Sequence, residues 1–343
     1  MAAKSELTPE SQVTLGVPAT YRQALAAVNF PMDALKPLNK VIVWRIWLDF
    51  AITAVFLMLV PLLFLVFPNP LTFAFCFILS IRNFNSLAQL IHSSDHGGLF
   101  RNPTFNTIAG NCCAFFLGYT RTGHRLAHLN HHLYLNTERD PDRIWGAPDQ
   151  SSRDVVNSWV QDFLFLSAVK RLMQYSQTDR GTFTASPWKS LNPKFFVRAV
   201  IQMLPVIATQ CAILALYWLV LGPVYYIALY ILPIMTFYPA QIRLRSIVEH
   251  AFDAGYEPKT SSDLWITRTT HANLIERFIF SPFGIHYHFE HHLFPGVPHY
   301  NLGKVHELLK ECNFPVPTAP GYIGFVFGRF RAEKMVLAPG TAS

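Results

Sequence analysis

Long uncharged stretches dominate the pattern of this chain. Residues 50–67 are eighteen positions without a charge, preceded by Trp44, Arg45 and Trp47 as interfacial anchors. Pro68-Asn69-Pro70 forms a tight turn, and the next helix is expected to run from about Leu71 through His96. At about 1.5 Å per residue it would reach roughly 39 Å, enough to cross a ~30 Å hydrocarbon layer and project beyond it. Residues 199–242 contain no Lys, Arg, Asp or Glu over forty-four positions. A single helix of that length would be about 66 Å, so the break at Gly222-Pro223 divides it into two. The pattern predicts an all-α integral membrane protein with spans near 46–67, 71–91, 199–221 and 223–243, arranged as two hairpins.

The polar stretches complete the layout. Residues 151–177 carry Val155, Val156, Trp159, Phe163, Leu164 and Leu166 at helical spacing among charges, which predicts an amphipathic helix, either lying on the membrane or packed as an ordinary helix of the cap. Residues 1–40 read as a cytosolic arm with a short helix over 21–28, and the first fifteen residues as a solvated tail without the apolar core of a signal peptide. Residues 41–343 read as one membrane domain, ending in a basic tail over 329–334. Two crossings precede His92 and four precede His250, so both emerge on the face of the N-terminus. The turns on the other face, near Pro68 and Gly222, hold no Lys or Arg. The positive-inside rule then makes the histidine face and both termini cytoplasmic.

Composition supports a membrane protein: 51% of the 343 residues are hydrophobic and 14% charged, against a usual charged share of about 25%. The net charge of +7 suits anionic headgroups. No basic block interleaved with aromatics points to nucleic acid. The five cysteines are scattered without CxxC spacing, as expected of buried thiols in a reduced compartment.

Chemistry enters with fourteen histidines, most of them clustered. His92 and His96 are an i, i+4 pair. His128, His131 and His132 repeat as i, i+3, i+4, and so do His288, His291 and His292; His250 closes the fourth apolar stretch. Positions i, i+3 and i+4 share a helix face, so each triplet is expected to converge on one point. Neutral imidazole is a common metal ligand. Nine imidazoles exceed the four ligands of zinc and suit two metals of higher coordination. The absence of thiolates leaves iron, copper, zinc or manganese. A pair of irons activating dioxygen is the chemistry most suited to such a site, since it attacks unactivated C–H bonds that no side-chain acid or base can.

Shared metal sites constrain residues 102–120, nineteen uncharged positions that a full crossing would turn against the topology. That segment is therefore expected to be re-entrant or interfacial. His124 and His271 are further possible ligands. His286, two before His288, falls on the opposite helix face and is left out. Asp95, Glu249 and Glu290, next to or between the ligands, are expected to orient imidazoles. Asn273 is expected to cap a turn in preference to holding a metal-bound water. Arg82, Asn83, Arg121 and Arg143 are candidates to meet an acidic headgroup. A histidine-rich metal transporter is the competing class, but it needs polar groups at mid-membrane, and residues 199–242 offer only neutral ones such as Gln202 and Gln210.

HSSDH, HLNHH within HRLAHLNHH, and YHFEHHLFPGVPHYNL resemble the three histidine boxes of the membrane fatty acid desaturase superfamily. The resemblance runs from about Trp44 to Leu309. It implies four membrane helices under a cytosolic helical cap, a histidine-ligated di-iron centre that includes the lone His250, and O2-dependent oxidation of an acyl or other lipid chain, desaturation first. Hydroxylation, carotenoid ketolation and terminal-alkene-forming decarboxylation occur on the same scaffold. The chain has no HPGG segment of a fused cytochrome b5. A separate electron donor, a ferredoxin or a cytochrome b5 with its reductase, is therefore expected.

Overall fold

The computed structural model describes residues 19–135, 137, 139–145, 152–175, 193–250 and 266–328. The solvated tail, the basic tail and both termini lie outside them. After α1 (Ala19–Ala27), the long helices are α2 (Val43–Val66) and α3 (Pro70–Asp95), then, past four shorter helices described below, two more. All four are long and apolar enough to cross a membrane. Asn69 starts α3 by accepting the Thr72 N–H, with Pro70 at the first helical position, where no intrahelical partner is lost. Gly97, at φ +72°, ends it just beyond His96.

A short helix, α4 (Pro103–Phe116), follows. Its fourteen residues cover about 21 Å, short of a ~30 Å crossing. Asn102 caps its start, and Asn106 donates to the Ser94 carbonyl while accepting the N–H groups of Leu99 and Phe100. Gly110 lies against α3 so closely that a Cβ there would meet Ser94 Oγ at 2.2 Å and Arg121 Cδ at 2.5 Å. At the other end, Gln210 Nε2 donates to the Phe115 carbonyl at 2.7 Å, and the Tyr230 hydroxyl donates to that of Phe116. Both carbonyls lie in the last turn of α4, where helix ends leave acceptors unfilled; that of Phe115 also accepts the Gly118 N–H at 3.2 Å.

The chain returns as α5 (Arg121–Tyr134), which carries the second histidine group. The amphipathic stretch forms two helices, α6 (Ser152–Phe163) and α7 (Leu166–Tyr175), where the spacing predicts one. The break sits at Phe165, in the left-handed region at φ +67°. It turns both Asp162 and Ser167 onto the buried guanidinium of Arg243, which also reaches the Trp145 carbonyl.

Helix α8 (Pro193–Val220) and the segmented α9 (Pro223–Glu249) are the remaining candidate spans. Helix α9 widens into a π-helical turn at Ile227–Ile231. Pro233 supplies no N–H for the Leu229 carbonyl, which accounts for the loosened register. Only 22% of the apolar window of α2 and 17% of that of α8 is buried, against 56% for α3 and 50% for α9. Helices α3 and α9 are thus the inner pair, and both end in histidines.

The C-terminal elements gather on those ends: β1 (Thr269–His271), α10 (Leu274–Ile279), α11 (His288–Leu293), α12 (Leu302–Glu311) and β2 (Thr318–Pro320). The two strands pair in parallel, Thr269 opposite Thr318. Behind α11, Phe289 and Leu293 pack with Val305 and Leu309 of α12 and with Tyr21, Leu25 and Leu35. Residues 21–38 therefore belong to the layer that backs the third histidine group.

Candidate metal centre

Nine histidines meet in two groups, and within each the ligating nitrogens lie no more than 4.8 Å apart. The first group holds His92 and His96 of α3, His128 and His132 of α5, and His291 of α11. The second holds His131 of α5, His250 at the end of α9, and His288 and His292 of α11. Each triplet is therefore divided: its i and i+4 members go to one group and its i+3 member to the other. This differs from the single convergence point that shared helix faces predict. At about 100° per residue, i+3 and i+4 point about 100° apart, whereas i and i+4 diverge by only about 40°.

The short contacts run between ring nitrogens. In the first group His96 Nε2 is 2.7 Å from His128 Nε2, His132 Nε2 is 3.1 Å from His128 Nε2, and His291 Nε2 is 3.2 Å from His132 Nε2. In the second, His288 Nε2 is 2.9 Å from His250 Nε2 and 3.0 Å from His292 Nε2. A ring nitrogen with several nitrogen neighbours cannot give each a hydrogen bond, because a neutral imidazole has one N–H. The spacing fits the edges of a coordination sphere instead: bonds of about 2.1 Å place neighbouring ligands roughly 3.0–3.4 Å apart. All-nitrogen donor sets of five and four suit two transition-metal ions.

Burial holds these rings in the form that ligates. Desolvation, reinforced by neighbouring imidazoles, puts His128, His132, His288, His291 and His292 well below the ordinary histidine value, and burial brings His250 to about 3. His131 is the exception. Burial lowers it, but the carboxylates of Asp140 and Asp142 outweigh that and raise it to about 9. Its Nδ1 donates to Asp140 Oδ1 at 2.9 Å, leaving Nε2 for the group.

The flanking acids act differently from one another. Asp95 accepts from His124 Nδ1 at 2.6 Å and lies 3.5 Å from Arg121 Nε. His124, a possible ligand by sequence, is thus held by Asp95 and lies outside both groups. Glu249 forms a two-point pair with Arg245, at 3.0 Å each, accepts from the Tyr322 hydroxyl at 2.8 Å, and has an oxygen 3.5 Å from His288 Nδ1. Glu290, expected to orient an imidazole of the site, spends its oxygens on Thr269 and His306, at 2.5 Å each. It ties α11 to β1 and α12.

His271, the other possible ligand, is exposed at the end of β1 and joins neither group. His286 is buried outside both, with neither ring nitrogen partnered. Asn273 caps α10 in a capping box with Glu276. Sequence reasoning missed Asp140 and His299. Asp140 stands in the charged TERDPDR run just past α5, close enough in sequence to have been a candidate. His299 bridges Asp49 Oδ2 at 2.9 Å and Ser93 Oγ at 3.1 Å, a contact across more than two hundred positions that no local pattern marks. A cleft with about 120 Å³ of free space opens beside both groups, with Gln89, Trp145 and Tyr238 in its wall.

The sequence model of the family described as fatty acid desaturase matches residues 68–320, most of the chain and all nine grouped histidines. The chain belongs to the fatty acid desaturase family. Within it, the chain is similar to the dihydrorhizobitoxine desaturase of Bradyrhizobium elkanii, at 25% identity over 232 residues, which is 65% of this chain and 63% of that protein. The match thus spans less than two thirds of that desaturase's length. The matched residues include three of the four helices long and apolar enough to cross a membrane and both histidine groups that could hold a metal ion.

Proposed function

We propose that this desaturase-family chain introduces a double bond into a fatty acyl or related lipid chain, using two non-haem irons held by the five- and four-histidine groups. The observation that carries the reading is the division of nine imidazoles, nitrogen donors only, into two sets that the same helices hold side by side. Two bound irons would supply activation of dioxygen and, through it, attack on an unactivated C–H bond. The chain's own residues do the rest. Asp140 fixes the tautomer of His131, and Glu249 stands against His288 Nδ1. Trp145, Tyr238, Ile242 and Ile285 give the cleft beside both groups the apolar walls that a hydrocarbon needs and that exclude water.

In this reading the four helices form two hairpins, and the distribution of basic residues puts the metal centre and both termini in the cytoplasm. Electrons come from a separate ferredoxin- or cytochrome b5-type donor. The deciding experiment is elemental analysis of the detergent-purified chain prepared without oxygen, followed by lipid analysis after aerobic turnover with a donor. About two irons per chain and a product two hydrogens lighter than its substrate are expected. Stoichiometric zinc that survives iron-replete expression would overturn the proposal.

A further inference from the structure

Of the four side chains that the sequence offers to an acidic group, Arg82 is left with none. Arg121 is committed to Ser94 and Asp95, and Arg143 lies in the 3-10 turn Pro141–Ile144 beyond α5. Arg82 is 5% exposed, and no carboxylate among the described residues pairs with it. Its Nη1 donates to Asn83 Oδ1 at 3.4 Å, while its Nε has no partner. The neighbouring Asn83 Nδ2 also has none, and Asn83 is fully buried. Two adjacent residues thus present unpartnered buried donors, one of them on a cation.

Such a cation is costly to keep without an anion. The rings of Phe56, Phe278 and Phe283 stand 4.4, 5.3 and 5.9 Å from the guanidinium carbon and offset part of that cost. None of them accepts a conventional hydrogen bond. The amides of Asn85 and Gln241 both donate to the Ile279 carbonyl, at 3.0 and 2.9 Å, and close a neighbouring side with α10.

The position relative to the metal centre gives the vacancy in hydrogen bonding a use. Arg82, Asn85, Gln89 and His92 follow one another at spacings of three and four along one face of α3. Asn85, Gln89 and His92 line the cleft beside the histidine groups, and Arg82 continues the row by one turn. Ten residues separate Arg82 from His92, about 15 Å along the helix.

We propose that Arg82 and Asn83 seat a carboxylate carried by the substrate, so that the chain takes a free carboxylic acid whose hydrocarbon lies along α3 toward the histidines. A carboxylate offers the charge and the two acceptor oxygens that these donors lack, whereas an ester or thioester offers neither the charge nor the second equivalent oxygen. The inference rests on the reading of the cleft as a substrate site for oxidation.

The test is equilibrium binding of laurate, methyl laurate and dodecanol to the iron-loaded, full-length chain in detergent under exclusion of oxygen, where no turnover intervenes. Laurate is expected to bind at least tenfold more tightly than the other two. Arg82→Gln should erase that difference and Arg82→Lys should keep part of it. Equal binding of acid and ester by the unaltered chain, or a preference that survives Arg82→Gln, overturns the proposal. If Arg82→Gln yields no folded protein, Asn83→Leu serves in the same assay, and an undiminished preference there overturns it equally. An Arg82-dependent preference in a chain that never oxidises laurate would sink the oxidase reading and leave the carboxylate seat standing. Oxidation of acid and ester alike, with no difference in binding, would do the reverse.

Discussion

Asp140 holds His131 by its Nδ1, with carboxylate oxygens at 2.9 and 3.1 Å, and so points the opposite ring nitrogen at His250, His288 and His292. Partners of this kind typically contribute 10–100-fold to metal affinity, a range on the order of that expected here. Asp140→Asn should therefore release iron from the four-histidine group to a competing chelator at lower chelator concentration. A release curve that does not move would show that Asp140 has no part in fixing the ring.

The grouping separates ligands from neighbours. His131→Ala and His291→Ala should each lower iron per chain and abolish oxidation, with membrane insertion intact. His124→Ala should leave the iron content near that of the unaltered chain, because His124 is bonded to Asp95 and stands outside both groups. Elemental analysis of the three variants side by side decides the assignment; iron loss in His124→Ala equal to that in His131→Ala would reverse it.

Arg243 and Asp162 form a fully buried two-point pair at 2.8 and 2.9 Å. Removing one partner of such a pair leaves an uncompensated charge and costs about 3–5 kcal/mol. Arg243→Met should lower the thermal unfolding midpoint in detergent markedly, and adding Asp162→Asn should restore part of the loss. Strict additivity of the two single effects would argue against a direct pair.

Gly110 has no room for a side chain between Ser94 and Arg121. Gly110→Ala should push Arg121 off Ser94 and Asp95, an overpacking cost of about 1–3 kcal/mol. The measurable sign is a lower unfolding midpoint together with faster proteolysis near α4. A midpoint equal to that of the unaltered chain would mean that the two helices separate more easily than their contacts suggest.

The apolar helices and all nine grouped histidines were legible in the sequence because both depend on local spacing: hydrophobic length for one, helical period for the other. The allocation of each triplet to two groups was not. It depends on how α5 and α11 are rotated against each other, and no single helix records that. Glu290 misled for a related reason: adjacency in the chain said nothing of the side on which its oxygens find Thr269 and His306. The break at Phe165 was equally hidden, since the residue that rewards it, Arg243, lies on another helix. The Arg82 environment could be noticed by residue type but not evaluated, because lack of a partner is a property of the packed molecule.

The capping of α4 by Gln210 and Tyr230 has a consequence for biogenesis. Until α8 and α9 have been made, the Phe115 carbonyl has only the Gly118 N–H and that of Phe116 lacks the side-chain donors Gln210 and Tyr230, which lie about a hundred residues downstream. The segment that leads into α5 cannot settle until those later helices have been made and have docked. Each histidine group also draws on α11, later still in the chain. Ribosome, insertion machinery and chain must therefore nearly finish their work before either group can take up metal. Metal loading is thus expected late in maturation, because a chain stalled partway presents neither histidine group assembled.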